Sequence, residues 1–189
     1  ADKGDLSLVR KLELTEAGIL TSCSDYHIFH KLGKNRKEVM EQYLDVVRAA
    51  IDAGIRPRCH LEDVTRADID GFVIPFVQRL AGISEDLPEE MKVMVRLCDT
   101  MGFGLTYPGV PLPRSIPKLI YKVTHEGGIP PERLEWHGHN DFHKVHINAV
   151  TTWLYGCDSV NATLLGFGER TGNPPLEGAI MELIGLMGD

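Results

Sequence analysis

The sequence predicts an α/β protein in which short strands alternate with helices, as in a (β/α)8 barrel of the TIM type. Two observations support this fold class. Short apolar segments recur along the 189 residues, and most of them end in an acidic residue. Asp25, Asp63, Asp99 and Asp141 follow four of these segments at intervals of 36 to 42 residues. One strand–helix unit of a parallel fold has about that length, so about five units fit into the chain.

The predicted strands are short, and each is followed by polar residues. They occupy residues 20–24, 57–61, 92–97, 134–137 and 159–165. We expect residues 1–18 to form a helix that precedes the first strand. Glycine favours the left-handed conformation that ends a helix. The helix-like segments are predicted to end at glycines, namely Gly18, Gly54, Gly82, Gly128 and Gly156.

The segments between the strands have the apolar spacing of amphipathic helices. Residues 36–53 form the clearest of them, and Asn35 with Glu38 resembles a capping box at its start. The next helix begins near Asp68, and we expect Pro75 to kink it. Later helices open at Ser115 with Pro117, over residues 119–124, and at Asn173 with Pro174, over residues 176–187.

Strict alternation of strands and helices is compatible with a doubly wound sheet or with a barrel. In an open sheet the chemistry collects at one crevice, where the strand order reverses. In a barrel every strand can deliver side chains to one mouth, at its C-terminal end. Because polar groups follow all five predicted strands, the barrel is favoured, and residues 1–189 are predicted to form a single domain.

Composition excludes several classes of function. Lys and Arg number 20 against 27 Asp and Glu, and the resulting net charge of −7 speaks against a nucleic-acid-binding surface. No apolar run approaches the roughly 18–20 residues of a membrane span, and no signal peptide is recognisable. The four cysteines contain no CxxC pair, so we expect free thiols and a cytoplasmic location.

The most specific motif is His137-Gly138-His139 at the end of the fourth predicted strand. Residues i and i+2 of a strand point the same way, so both imidazoles are predicted to face one point. Two neutral imidazole nitrogens together with a carboxylate and open neighbouring positions suit a divalent transition metal. The alternative is a pair of hydrogen-bonding histidines that line a polar cavity.

A glycine-rich loop, residues 168–173, follows the last predicted strand. Barrels often bind anionic groups at this place, through backbone amides and a helix N-terminus. Arg170 could make a bidentate contact to a carboxylate or phosphate of a substrate. The alternative is a tight turn in which Glu169 and Arg170 pair with each other.

Further candidates follow the other strands. Glu62 shares a strand face with His60 and is predicted to accept or orient a proton. For Asp63 and Asp68 we favour helix capping, with Thr65, while Arg66 pairs with one acidic residue. Thr100 offers a hydroxyl at the mouth, and His27 lies in a polar segment after the first strand.

Five segments occur together in a fixed order, and they carry a resemblance to a known family. They are residues 24–27 (SDYH), 61–68 (LEDVTRAD), 99–102 (DTMG), 137–141 (HGHND) and 168–173 (GERTGN). The set resembles the metal-dependent acyl-CoA condensing enzymes of the homocitrate synthase and 2-isopropylmalate synthase family. A Re-type citrate synthase is a related possibility. The resemblance runs from about residue 15 to the C-terminus.

This resemblance implies a TIM barrel that joins the acetyl group of acetyl-CoA to a 2-oxo acid, with a divalent ion such as Zn, Mg or Mn. It implies that His137 and His139 bind the metal and that Glu62 lies near the reacting carbon as the catalytic residue. Thr100 matches a threonine that holds the oxo-acid carboxylate. We expect Arg170 and His27 to bind substrate as well.

The family's first strand carries an Arg-Asp or Arg-Glu motif that supplies a carboxylate ligand to the metal, and no segment here matches it. The five predicted strands align with strands 4 to 8 of the family's barrel. We therefore expect the chain to lack strands 1 to 3, to be inactive alone, and to form a homo-oligomer through open sheet edges. Two alternatives stay open: a metal-dependent lyase or aldolase of the same superfamily, and a non-catalytic metal- or ligand-binding fragment.

Overall fold

A computed structural model describes residues 3–188, in which helices alternate with parallel strands. The elements are α1 (Lys3–Lys11), β1 (Glu16–Ser22), α2 (Arg36–Asp52), β2 (Arg56–Glu62), α3 (Ile74–Ser84), β3 (Met94–Asp99), α4 (Ile116–His125), β4 (Leu134–Gly138), α5 (Val145–Leu154), β5 (Ser159–Val160) and α6 (Leu176–Met187). Short π-helical segments at Tyr26–Lys31 and Ile69–Val73 follow the loops after β1 and β2.

The five strands form one sheet in the order β1-β2-β3-β4-β5, and every neighbouring pair is parallel. A doubly wound sheet has a reversal of strand order, and this sheet has none, so the doubly wound alternative is wrong. Within the described residues, β1 and β5 each pair on one side only. That three further strands complete the barrel in the whole protein stays a prediction.

The two faces of the sheet differ in chemistry. Apolar residues that alternate along the strands, such as Leu61 and Trp136, are fully buried in the core shared with the helices. The opposite face, which we call the inner face, carries charged side chains near the N-terminal ends of the strands. There Glu135 accepts a hydrogen bond from Arg58 and forms an ion pair with Arg96, whose Nη2 lies 2.8 Å from Oε1. Arg58, Arg96 and Glu135 therefore form an ion cluster on the inner face, towards the N-terminal ends of the strands.

Several predicted boundaries are confirmed by local hydrogen bonds. Asn35 and Glu38 form a complete capping box at the start of α2, with both bonds at 3.0 Å. Asp68 caps the segment before α3, where its carboxylate accepts from the Gly71 amide at 2.9 Å. Pro75 lies in the first turn of α3, directly after the π-helical segment Ile69–Val73, and the predicted kink stays a prediction.

The first strand begins earlier than predicted, and the helix before it ends at Lys11 rather than near residue 18. Gly18 lies inside β1 and does not end a helix. A Cβ at this position would lie 3.0 Å from Cε1 of His60, which stands on the neighbouring strand. The glycine is thus explained by close packing across the sheet. Gly82 likewise lies inside α3 and does not end it.

The last strand is shorter than predicted. β5 comprises only Ser159 and Val160, and a short 3-10 turn follows at Leu164–Gly166. Leu165 adopts a left-handed conformation (φ 56°), which takes the chain out of extended geometry. Helix α6 begins at Leu176, and Asn173 does not cap it. The side-chain amide of Asn173 instead donates to the Gly138 carbonyl at 3.1 Å.

Helix α6 leaves most of its apolar side chains exposed. Ala179 is its buried residue, whereas Met181 is 66% and Met187 is 78% exposed. No helix among the described residues is long and apolar enough to cross a membrane.

We expect the chain to self-associate, because this apolar helix face and the unpaired edge of β1 both gain by burial against another chain. Sedimentation velocity over a hundredfold range of concentration should show a sedimentation coefficient that rises with concentration. A single, concentration-independent monomer boundary would contradict the expectation.

Candidate functional site

The predicted site residues collect at one end of the sheet. Glu62 ends β2, Thr100 directly follows β3, and His137 lies near the end of β4. The register pairs Glu62 with Cys98 and Cys98 with His137, so the side chains of Glu62, Cys98 and His137 share the inner face. Because all the strands are parallel, their C-terminal ends meet at this edge, as the barrel reading requires.

His137 and His139 converge as their spacing predicts. Their Nε2 atoms lie 3.2 Å apart, and the two ring planes are nearly perpendicular, at 87°. His139 is buried, with 4% of its surface exposed. Burial, followed by the neighbouring His139, lowers the pKa of His137 to about 4, so this imidazole is neutral at neutral pH.

The tautomer of His139 follows from its partner. Its Nδ1 lies 2.8 Å from the carbonyl oxygen of Thr100. A carbonyl can only accept, so Nδ1 carries the proton, and in the neutral ring Nε2 keeps its lone pair. A carbonyl that accepts from the far ring nitrogen in this way commonly orients a metal-binding histidine. The lone pair of His139 points towards His137.

The pair has the geometry of two ligands to one ion. Nitrogens bound at about 2.0–2.1 Å in a tetrahedral or octahedral arrangement are roughly 3.0–3.4 Å apart, which includes the observed separation. Glu169 Oε2 lies 3.2 Å from His139 Nε2, but its side chain is 75% exposed on the loop after β5. Within residues 3–188, no group of three His, Cys, Asp or Glu residues is placed to hold a metal. The described chain therefore offers a two-histidine set.

Glu62 is held by three neighbours. Ser22 donates to its carboxylate, Lys31 Nζ lies 3.1 Å from Oε2, and His27 Nδ1 lies 3.5 Å from the same oxygen. Burial opposes ionisation of Glu62, but the hydrogen bonds from Ser22 and Lys31 outweigh it and lower the pKa of the carboxyl group. Glu62 is therefore an ionised and firmly oriented group at neutral pH.

Thr100 connects the loops after β2 and β3. Its hydroxyl oxygen accepts from the Asp63 amide at 2.8 Å, which leaves the hydroxyl proton available to another acceptor. Asp63 has a left-handed conformation (φ 67°) and is fully buried. Arg66 pairs with Asp63 at 2.7 Å, as predicted, but neither Asp63 nor Thr65 caps a helix. Thr65 donates instead to the buried Asp99 at 2.6 Å.

Arg170 does not pair with Glu169 to close a turn. Its Nε and Nη2 bind the two carboxylate oxygens of Asp141, each at 2.8 Å, and Nη2 also donates to the Thr100 carbonyl at 2.6 Å. This is the same carbonyl that orients His139. Arg170 thus links the loops after β3, β4 and β5 around the histidine pair. That it also binds substrate stays a prediction.

Sequence reasoning missed several residues at the site. Lys31 and Ser22 contact Glu62, and no motif singled out either of them as its partner. The pairing of Asp141 with Arg170 is likewise not predicted, although the two residues lie in the HGHND and GERTGN segments. A cavity of about 200 Å³ adjoins His137, and Thr163 lines it with a buried hydroxyl that has no hydrogen-bond partner within residues 3–188.

Comparisons with known proteins agree with the motif set. The family model described as HMGL-like matches residues 2–187. The Citrate (Re)-synthase of Syntrophus aciditrophicus is 57% identical over 188 residues, which cover 100% of this chain and 30% of that protein. The Citrate (Re)-synthase of Clostridium kluyveri is 51% identical over 189 residues, with 100% and 41% covered. The chain thus spans less than half the length of these curated relatives.

A solved structure supports the fold. The hydroxymethylglutaryl-CoA lyase from Pseudomonas aeruginosa superposes with a TM-score of 0.70 at 23% identity, covering 98% of this chain and 60% of that one. At this identity the likeness concerns the fold and leaves the reaction open. The predicted α/β barrel architecture is thereby confirmed.

Proposed function

The chain belongs to the HMGL-like family, and from this premise we propose that it carries part of the active site of an acyltransferase. The proposed reaction is a Claisen condensation of acetyl-CoA, as co-substrate, with a 2-oxo acid. The observation that carries the proposal is the convergence of His137 and His139, 3.2 Å apart, at the end of the sheet that also carries the fixed Glu62 carboxylate and the Thr100 hydroxyl.

His137 and His139 would hold the divalent metal that the family implies. The lone pair of His139 Nε2 faces Nε2 of His137 at 3.2 Å, and imidazole nitrogens suit Zn better than Mg, which prefers oxygen. When bound, such an ion supplies Lewis-acid polarisation of an oxo-acid carbonyl. The carbonyl of Thr100 fixes the tautomer that ligation needs, and the Arg170–Asp141 pair holds that carbonyl in place.

The other residues bind and orient the substrates. Thr100 can donate its hydroxyl proton to a carboxylate of the 2-oxo acid, because its oxygen already accepts from Asp63. Glu62 is the proposed catalytic residue: its carboxylate, fixed by Ser22 and Lys31, orients or receives a proton near the reacting carbon. His27 lies beside Glu62 and completes the proposed substrate-binding wall.

The names of the relatives narrow the proposed 2-oxo acid. Two Citrate (Re)-synthases share 57% and 51% identity with the chain. Citrate arises from an acetyl unit and a four-carbon dicarboxylic 2-oxo acid, so we propose a substrate of this class. All four cysteines are free and buried, and this supports the proposal of a reducing, cytoplasmic location.

The test of the proposed function compares the whole natural protein with the 189-residue chain. Each is mixed with acetyl-CoA, Mn²⁺ and a panel of 2-oxo acids, and the released CoA thiol is measured. We expect release by the whole protein only with a dicarboxylic 2-oxo acid. We expect no turnover by the 189-residue chain, because its described residues supply only two of the ligands that a catalytic ion needs.

Two outcomes would contradict this reading. Metal-dependent cleavage of a 3-hydroxy acyl-CoA by the whole protein, without thiol release in the condensation assay, would favour the lyase alternative. Full turnover by the 189-residue chain would show that no further metal ligand is required. The whole protein carrying Glu62→Gln serves as the internal control for chemistry at the proposed site.

Weakening the Arg170–Asp141 pair should reduce metal affinity without a ligand being removed. In Asp141→Asn and Arg170→Lys we expect about a 10- to 100-fold loss of Mn²⁺ affinity, because the carbonyl that orients His139 is released. Isothermal titration calorimetry measures the affinity, and imidazole ¹⁵N shifts report the His139 tautomer. Arg114→Lys is the matched control, since Arg114 also donates to a carbonyl of the loop after β3 but does not contact His139. Unchanged affinity and tautomer would contradict the positioning role.

A further inference from the structure

A second polar cavity lies at the opposite end of the sheet from the candidate site. Its volume is about 360 Å³, and it opens where α3 ends and β3 and β4 begin. Its polar side chains are Ser84, Glu85, Lys92 and Arg133. Arg133 directly precedes β4, and Lys92 stands two residues before β3. None of these residues takes part in the site described above.

Arg133 is the unusual member of this lining. Only 9% of it is exposed, yet its Nε and Nη1 have no hydrogen-bond partner among the described residues. No carboxylate within residues 3–188 forms a salt bridge with its guanidinium, although Glu89 and Glu132 are near enough to act on it through space. A buried donor without an acceptor is unfavourable, so a guanidinium at a cavity wall is suited to an acceptor that enters from solution.

The other side chains of the lining supply hydrogen-bond donors and few acceptors that would compete with a bound anion. Ser84 is buried, and its oxygen accepts from the Val93 amide at 3.0 Å, so its hydroxyl proton is not used by that bond. Lys92 adds an ammonium group, which an exposed glutamate, Glu89, contacts at 3.0 Å. Glu85 is the carboxylate of the lining, and it is exposed at the rim. The lining as a whole carries a net positive formal charge.

We propose that this cavity binds a small oxyanion, a carboxylate or phosphate group, with the Arg133 fork as its main contact and Lys92 as its second. The planar guanidinium matches the geometry of two oxyanion oxygens, and burial strengthens such a charge-assisted hydrogen bond. The cavity lies away from the histidine pair, so this binding is independent of the proposed function.

The test uses inorganic phosphate and acetate as probes with the 189-residue chain. Isothermal titration calorimetry should show saturable binding of one probe per chain, and thermal unfolding in that probe should shift upward relative to chloride at equal ionic strength. The probe that binds more tightly identifies the oxyanion class. In Arg133→Met, which keeps much of the aliphatic stem, we expect affinity to fall at least about tenfold. The affinity of Arg133→Lys for the probe should lie between that of the unaltered chain and that of Arg133→Met.

Matched variants separate a site from general charge effects. Arg48→Met removes an exposed arginine of α2 that lies outside this lining, and its affinity should equal that of the unaltered chain. Glu85→Gln should bind the probe more tightly, because it removes the negative charge at the rim. If Arg133→Met does not fold, Lys92→Met should still weaken binding several-fold. Absence of saturable binding by both probes, or equal affinity in Arg133→Met, would overturn the proposal.

Discussion

Replacing His139 with alanine should reduce the affinity of the chain for Mn²⁺ or Zn²⁺ by at least about 100-fold. The described residues place two imidazoles at the candidate metal position, so this change removes half of the donor set. Loss of a ligand should exceed the roughly 10- to 100-fold effect that is typical of losing a group that only orients a ligand. Calorimetric titration of the metal-free chain measures the change.

The control for this variant is His125→Ala. His125 is an exposed histidine of α4 that stacks on Tyr121 with ring centroids 4.2 Å apart, and it lies outside the site. Its metal affinity should match that of the unaltered chain. Circular dichroism of both variants without metal checks that the fold is retained. If His139→Ala binds metal as tightly as His125→Ala, the histidine pair is only a hydrogen-bonded pair, which is the alternative that the sequence left open.

Replacing Glu135 with alanine should lower the free energy of unfolding by about 3–5 kcal/mol. Glu135 is 3% exposed and is the anion between Arg58 and Arg96 on the inner face of the sheet. Without it Arg96 loses the carboxylate it pairs with, and Glu16, at 2.7 Å, is the one ion-pair partner left to Arg58 among residues 3–188. Such a loss is a large part of the stability of a typical domain. Urea denaturation at neutral pH measures it.

Two further variants make this result interpretable. Glu135→Gln keeps an acceptor for Asn161 and the arginines, so its destabilisation should be smaller than that of the alanine variant. Glu132→Ala removes an exposed glutamate three residues earlier and should change stability by less than about 0.5 kcal/mol. Equal stability of Glu135→Ala and Glu132→Ala would mean that the arginines find other partners and that the ion cluster contributes nothing net.

Hydrophobic periodicity and spacing predicted much of the fold because these signals are local. The capping box at Asn35 and the i, i+2 relation of His137 and His139 depend on residues a few positions apart. The predictions fail where contacts with residues far away in the sequence determine the local structure. Gly18 has the appearance of a helix end, but its role is to admit the ring of His60 from the next strand. The 3-10 turn after β5 was missed for a related reason, since an apolar run does not reveal whether a partner strand is present.

At the candidate site, too, the sequence identifies some features and the three-dimensional structure identifies others. Motifs identified the chemical groups, namely the two histidines, Glu62, Thr100 and Arg170, because their types and order are visible in one chain. Motifs could not identify their partners. Lys31 reaches Glu62 over 31 positions, and Arg170 reaches the Thr100 carbonyl over 70. Such contacts depend on how parallel strands align their ends, which requires the register of the whole sheet.

The sequence by itself determined the alternation of strands and helices, the family and the identity of the candidate ligands, since each of these follows from residue type and spacing. Only the tertiary structure decided which nitrogen of His139 carries its proton, what Arg170 holds, and that Nε and Nη1 of Arg133 are buried without a partner among the described residues. The physical reason is that hydrogen-bond partners and burial are properties of space. They are set when segments far apart in the chain pack together, and no local pattern encodes them.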